Sequence, residues 1–414
     1  MRNPPFPRTG VIAHNYLDVK KSEKVPMTAC LIGWYHSKFG KLADQSLEQL
    51  MTQAASAALA DAGVAAADVD DVFVGHFNSG FSEQDFAASL VLGAHPDLRF
   101  KRATRVENAC ATGSAAIHAA VNAVRGGHSR IALVVGVEKM THLDAVAAGN
   151  NLLHACYVAE EAGIKGGFTG VFGRITDLHF QKYGDRSDTL ARIAAKNHAN
   201  ALGNPLAQMQ KALSYEFCRD VSEKNPLVAG PLRRTDCSLI SDGVAAVVIA
   251  HSDIALRAKK AVAVRAIAQV NDYLPMSRRD MTYLEGAALA WKQALASADL
   301  ALLDLDVVET HDCFTQAELM EYEAMGLTAP GEGYTAVEEG WVFKDGKLPV
   351  NVSGGLKAKG HPIGATGVSM HALQAMQLTN QAGGIQVKDA ELAGIFNMGG
   401  AGVANYVTIL QAFR

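Results

Sequence analysis

Short apolar runs alternate along this chain with longer stretches whose apolar residues recur every three or four positions. Residues 27–34, 71–75, 130–136 and 242–250 are of the first kind and predict strands buried on both faces. Residues 45–62 are of the second kind: Leu47, Leu50, Met51 and Ala54 share one face, and Gly63 supplies a stop. Residues 189–201 predict another helix. Residues 111–124, small and apolar throughout, predict a closely packed helix behind a strand ending near residues 104–107. This alternation predicts an α/β fold with a mostly parallel sheet covered by helices on both faces.

The later part of the chain repeats the earlier part. Residues 365–372 echo residues 111–118, and residues 401–409 echo the strand at 242–250, in the same order. The spacing between the two motifs is longer by about 95 residues in the first copy, and that excess coincides with the irregular, glycine-rich text from 137 to 235. Two similar α/β halves with one inserted loop domain follow. The expected division is an N-terminal arm (1–25), a first half (26–136 plus 236–260), a loop domain (137–235) and a second half (261–414).

Composition narrows the class. The 414 residues are 49% hydrophobic and 19% charged, with 38 glycines, enough for more than one domain and a large core. The net charge of −4 gives no reason to expect nucleic acid as a partner. No apolar run is long enough to span a membrane. The six widely spaced cysteines show neither zinc-finger spacing nor a disulfide framework, which fits a reduced cytoplasm. Pro4, Pro5 and Pro7 spoil any amphipathic targeting helix in the first 25 residues.

Four stretches carry chemistry. Cys110, in Asn108-Ala109-Cys110-Ala111-Thr112-Gly113-Ser114, sits at the mouth of a predicted helix. The helix field there favours a thiolate nucleophile, while a small buried hydrophobe is the plain alternative. His311 and Cys313 stand in Glu309-Thr310-His311-Asp312-Cys313-Phe314, behind a predicted strand. His361 stands in Gly360-His361-Pro362-Ile363-Gly364-Ala365-Thr366-Gly367, and Gly399 in Asn397-Met398-Gly399-Gly400. His361 suits a base for the thiol, His311 a donor to an oxyanion, Cys313 a proton carrier, and the glycine turn a set of backbone N–H donors. Against these roles, single histidines are commonly structural, glycine turns are commonly geometry, and Asp312 suits a cap for a helix starting near Thr315. Neither spacing nor a local motif favours a metal at His311, Cys313 and His361.

These residues together resemble the thiolase superfamily, and within it the sterol-carrier-protein (SCP2) type. The stretch 108–114 resembles the nucleophile motif, and 360–367 the catalytic-histidine motif. His-Asp-Cys-Phe at 311–314 is the SCP2-type form of a motif that reads Asn-Glu-Ala-Phe in ordinary thiolases. Where ordinary thiolases carry a second catalytic cysteine near the C-terminus, this chain has Asn397, and Cys313 supplies the missing thiol. The resemblance implies a duplicated five-layered α/β/α/β/α fold with an inserted loop domain. It implies a CoA-dependent acyltransferase that makes or cleaves 3-oxoacyl-CoA through an acyl-Cys110 intermediate, in lipid and fatty-acid metabolism. His361 activates Cys110; His311 and His361 hold the thioester oxygen of the second acyl-CoA; Cys313 moves the α-proton; the N–H groups of Cys110 and Gly399 hold the acyl oxygen. Ser238 and Arg233, with Arg234, are the implied contacts to CoA. No cofactor is expected beyond coenzyme A thioesters as substrates. The partners expected are acyl-CoA, CoA and further copies of the chain in a homodimer or homotetramer.

Other readings use the same site for a non-CoA or steroid-type acceptor, by acyl transfer or retro-aldol cleavage, or make the chain a non-catalytic subunit of an acyl-transfer complex. No appended lipid-transfer domain is expected, and residues 411–414 do not match a peroxisomal address, which favours a cytoplasmic location.

Overall fold

The computed structural model describes residues 29–413; the expected N-terminal arm and the first residues of the 27–34 strand lie outside them. Nine strands carry the fold: β1 (Ala29–His36), β2 (Asp71–Gly75), β3 (Arg102–Val106), β4 (Ile131–Glu138), β5 (Gly243–His251), β6 (Val262–Asn271), β7 (Val307–Glu309), β8 (Leu392–Gly399) and β9 (Ala404–Ala412). They lie in the order β3-β2-β4-β5-β1-β6-β9-β8-β7. The helices that cover and fill this sheet are α1 (Leu47–Ala62), α2 (Thr112–Arg125), α3 (Ala145–Leu152), α4 (Gly167–Tyr183), α5 (Ser187–Ala201), α6 (Glu285–Ala298), α7 (Thr315–Ala324) and α8 (Ile363–Leu378).

Both faces of β1, β2, β4 and β5 are buried, as the apolar runs required. Along β4, Ala132 and Val134 enter one apolar cluster, and Ile131, Leu133, Val135 and Val137 enter another. The expectation of a mostly parallel sheet is corrected. β2 is parallel to β3 and β4, and β7 to β8, but every other pairing is antiparallel. A doubly buried strand reads the same whichever way its neighbour runs. Between β8 and β9 only residues 400–403 remain, too few for a crossover, and positive φ at Gly400 (61°) and Gly402 (77°) closes the turn.

The two halves of the sheet touch edge to edge through just Cys30 with Ala263 and Leu31 with Val262. α1 covers the outer side of the first half; Ser46 caps it, accepting from Gln49 N, so it starts at Leu47. α6 covers β6 and β9 of the second half. Between the halves lie α2 and α8, with α8 touching β4 and β5 on one side and β8 and β9 on the other. The result is five layers, α/β/α/β/α. The two echoed motifs meet here: a Cβ on Gly113 would stand 2.7 Å from Gly367 N, and one on Gly367 would collide with Ser114 N. Only glycine at both positions lets the two helix N-termini pack this closely.

The stretch 137–235 holds α3 and α4 besides the expected α5. The glycines that obscured α4 are close-packing positions: Gly170 lies under Lys165 O and Gly173 against Ala229. β6 and α6 were likewise not evident from the pattern. Among the described residues no helix is long and apolar enough to cross a membrane.

Candidate active site

Cys110 lies in the turn from β3 into α2, two residues ahead of Thr112. Ala109 holds a left-handed φ of 49°, a strained value for alanine, and its N–H is held by Glu107 Oε1 at 2.5 Å. The sulfur is buried. Burial pushes the thiol up to about 12, against the pull of the Gly400 N–H and its own N–H. Loss of water thus opposes the helix field at this sulfur, and a base is needed to draw off its proton.

His361 follows an irregular turn over Gly355–Lys359, and Gly360 takes a φ of 116° to aim it inward. Its N–H donates to Ser241 Oγ at 3.0 Å. Its Nδ1 is 2.7 Å from Thr366 Oγ1, which itself donates to Pro362 O at 3.0 Å. With that hydroxyl proton committed, Nδ1–H of His361 is the donor, and Nε2 keeps its lone pair. Burial and the nearby Lys359 charge bring this imidazole down to about 3, so it is neutral at working pH.

His311 ends the segment after β7, and its ring meets that of His361 edge to face, centroids 5.1 Å apart. Burial first, then His361 and Lys359, hold it well below the usual imidazole range. Cys110 Sγ and one ring nitrogen from each histidine lie within 4.8 Å of one another. Cys313, buried beside them, is a neutral thiol: burial, then the neighbouring Cys110, push it well above the ordinary range.

Asp312 does not cap α7, contrary to the plainer expectation. Its side chain turns the other way and accepts from Leu356 N (2.6 Å), Lys357 N (3.1 Å) and Asn197 Nδ2 (2.8 Å), tying the His311–Cys313 segment to the turn that carries His361. Asn197 also donates to Glu318, which pairs with Lys196 at 2.6 Å.

Cys110, Cys313, His361 and Ser238 line one cavity of about 250 Å³, with Met140, Leu152, Phe168 and Phe314 as its apolar wall. Ser238 N donates to Cys313 O at 2.9 Å, so the end of the inserted segment is fastened to the catalytic turn. Phe314 stacks on Phe172 of α4 at 4.4 Å. Arg233 is not brought to this cavity: it is 3% exposed and lies against Asp236. Gly399 ends β8 where a side chain would strike Asn108 O, and the N–H that faces the Cys110 sulfur is that of Gly400. The sequence points to the Gly399-Gly400 turn as a set of backbone donors, while Thr366, Ser241 and the orienting side of Asp312 were missed from sequence. Thr366 alone carried a signal, five residues past His361 within its motif.

Comparison with known proteins places the chain in a family. The thiolase N-terminal domain family matches residues 30–253, and the thiolase C-terminal domain-like family residues 268–412. The chain is 38% identical to an acetyl-CoA acetyltransferase of Methanothermobacter thermautotrophicus, covering 90% of this chain and 96% of that one. It is 31% identical to human sterol carrier protein 2, covering 87% of this chain and 67% of that one. Among solved structures, the Ltp2-ChsH2(DUF35) aldolase superposes with a TM-score of 0.76 at 23% identity, covering 94% of this chain and 99% of that one. An acetyl-CoA acetyltransferase from Syntrophomonas wolfei superposes with 0.69 at 18%, covering 94% and 99%. At those identities the two structures speak to the fold alone.

Proposed function

Since the chain belongs to the thiolase superfamily, among its SCP2-type members, we propose that it is a CoA-dependent acyltransferase that cleaves or forms 3-oxoacyl-CoA through an acyl-Cys110 intermediate. The observation that carries this reading is the buried cluster in which the Cys110 sulfur and one ring nitrogen each of His311 and His361 lie within 4.8 Å of one another. In the cleavage direction His361 takes the Cys110 proton as the sulfur attacks the 3-oxo carbon. The N–H groups of Cys110 and Gly400, with Gly399 beside them, are the donors nearest the resulting oxyanion. When the carbon–carbon bond breaks, the acetyl-CoA enolate oxygen meets the donors of His311 and protonated His361, and the Cys313 thiol gives its proton to the α-carbon. Free CoA returns a proton to the Cys313 thiolate and attacks the acyl-Cys110 thioester; the departing sulfur recovers its proton from His361. Every proton has a carrier within the chain, so the sequence of steps needs no resident cofactor.

Ser238 at the cavity mouth is kept as a CoA contact. The apolar wall of Met140, Leu152, Phe168 and Phe314 supports an acyl group larger than acetyl. We place the enzyme in the cytoplasm and as a homodimer. The unpaired edge of β3, flanked by Phe86 and Phe100 at 79% and 86% exposure, supports pairing with a second copy.

Incubation with acetyl-CoA or a 3-oxoacyl-CoA, followed by digestion and mass spectrometry, should find the acyl group on Cys110. Absence of an acyl-enzyme with every acyl-CoA tried would overturn the reading.

A further inference from the structure

Asn397 stands at the position of the second cysteine of ordinary thiolases. It lies in β8, opposite Tyr406 of β9, and is fully buried. One amide atom is 3.1 Å from Cys110 O and 2.9 Å from His311 Nδ1. A carbonyl oxygen can only accept, so that atom is the nitrogen Nδ2, and the orientation of the amide is fixed by the backbone of the nucleophile itself. The same nitrogen then donates to His311 Nδ1. A neutral imidazole that accepts at Nδ1 carries its proton at Nε2. His311 Nε2 is buried and has no hydrogen-bond partner among the described residues, and a nitrogen of this ring lies in the cluster with the Cys110 sulfur.

We propose that Asn397 is a positioning residue that sets the tautomer of His311, making its Nε2 a hydrogen-bond donor to the substrate oxygen and denying that nitrogen to metal ions. This rests on the thiolase reading for the substrate, but the tautomer itself does not. A cysteine sulfur and two imidazole nitrogens within 4.8 Å of one another form a set of zinc donors. Zinc needs a lone pair from each. His361 Nε2 has one; His311 Nε2, protonated, does not. Asp in place of Asn397 reverses this, since a carboxylate only accepts. His311 would then hold its proton at Nδ1 and turn a lone pair toward Cys110, the arrangement in which a carboxylate backs a metal-bound histidine.

The test uses the full chain labelled with 15N-histidine, the His311 signals being identified by their loss in His311→Gln. In the unsubstituted enzyme, Nε2 of His311 should resonate as a protonated, pyrrole-type nitrogen and Nδ1 as a pyridine-type one. In Asn397→Asp the two should exchange. That variant should still acylate Cys110 from acetyl-CoA while carbon–carbon cleavage falls by about 10²–10³-fold, the loss expected when one oxyanion donor is removed. Incubated with zinc and desalted, it should retain one equivalent that the unsubstituted enzyme does not. A pyridine-type Nε2 in the unsubstituted enzyme overturns the proposal even if Asn397→Asp fails to fold. So does equal zinc retention by the two proteins. A protonated Nε2 in a chain that forms no acyl-Cys110 would leave this assignment standing and sink the thiolase reading instead.

Discussion

His311 and His361 meet edge to face, their planes at 83°, and carry their protons on opposite ring nitrogens. Asn397 donates to Nδ1 of the first, and Thr366 accepts from Nδ1 of the second. Two identical side chains, both stripped of water and both neutral, are thereby made into a donor and a base. Tautomer, rather than charge, divides their labour. Burial sets the charge state of both rings; the neighbour at Nδ1 sets the role of each.

The first prediction follows from the base. His361→Asn removes the acceptor for the Cys110 proton and leaves a thiol that burial holds near 12. Acylation of Cys110 should slow by about 10²–10⁴-fold in a rapid-quench assay. The unsubstituted pair also predicts a pH profile. With His361 at about 3 and Cys110 at about 12, neither group titrates between pH 5 and 9. The acylation rate should be level across that range as far as these two groups set it. A tenfold rise per pH unit would mean that a free thiolate is the attacking form and that His361 is no base.

The second concerns the other thiol. Cys313→Ala leaves Cys110 and His361 in place and should still accept an acetyl group, at a rate within about threefold of the parent. It loses the proton donor at the α-carbon, so cleavage of a 3-oxoacyl-CoA should drop by about 10²–10⁴-fold. Mass spectrometry reads the first quantity and a coupled thiolysis assay the second. Normal turnover would remove Cys313 from the proton path.

How much of this was legible in the sequence depends on what each residue does. Cys110, His311, Cys313 and His361 stood out because their motifs are distinctive side chains in a fixed order. The strands β2, β4 and β5 stood out because burial on both faces leaves an unbroken apolar run. What stayed hidden acts through the backbone or through space. Ser241 holds His361 by accepting from its backbone N–H, which has no motif signature. Gly170 and Gly173 fall in the glycine-rich text that reads as irregular, but they are contact points of α4. Strand direction left no trace in residues buried either way. Asp312 read as a cap for the helix after it, because its actual partners, Leu356, Lys357 and Asn197, lie far along the chain. Arg233 reads as a contact to CoA, and only the fold shows it turned inward against Asp236.

A third prediction tests the helix contact that brings the two catalytic motifs together. Gly367→Ala adds a methyl group where Ser114 N and Asn397 Oδ1 already sit. Both lie on rigid elements, so the backbones must part. The variant should lose about 1–3 kcal/mol of stability in urea unfolding. It should also lose activity in any fraction that remains folded, because Asn397 and the α2 and α8 termini move together. An unchanged midpoint would show that the layer between the two halves is looser than the contact implies.

A fourth concerns assembly. If β3 pairs with a second copy, replacing both Phe86 and Phe100 by serine removes the apolar flank without touching the catalytic cluster. Sedimentation at micromolar concentration should show a dimer for the parent and a monomer for the double variant. A monomeric parent would refute the proposed dimer outright.

The last prediction concerns acid. Six histidines, His36, His118, His198, His311, His361 and His371, are held below the usual imidazole value, in each case first by burial. Four of them are brought down to about 3 or about 4. In the unfolded chain each binds a proton near 6.5; in the folded chain it does not until the pH is far lower. The unfolded state therefore holds more protons between those values, and stability falls as the pH drops below 6.5. Each such imidazole contributes up to about 1.4 kcal/mol per pH unit. Asp236, Asp312 and Glu321 act in the opposite sense, since burial pushes their carboxyls up and the folded state holds protons that the unfolded state has released. Six groups against three leave the histidines dominant. The net slope, about 4 kcal/mol per pH unit at most, is large beside a typical total of about 5–15 kcal/mol. The urea midpoint should thus fall steeply from pH 6.5 toward 5. His118→Gln and His371→Gln, which face each other across Thr408 Oγ1 at 2.9 and 3.0 Å and lie outside the catalytic cluster, should flatten that slope when combined. A midpoint that rises on acidification would mean that the buried carboxyls, and not the histidines, govern the acid limb.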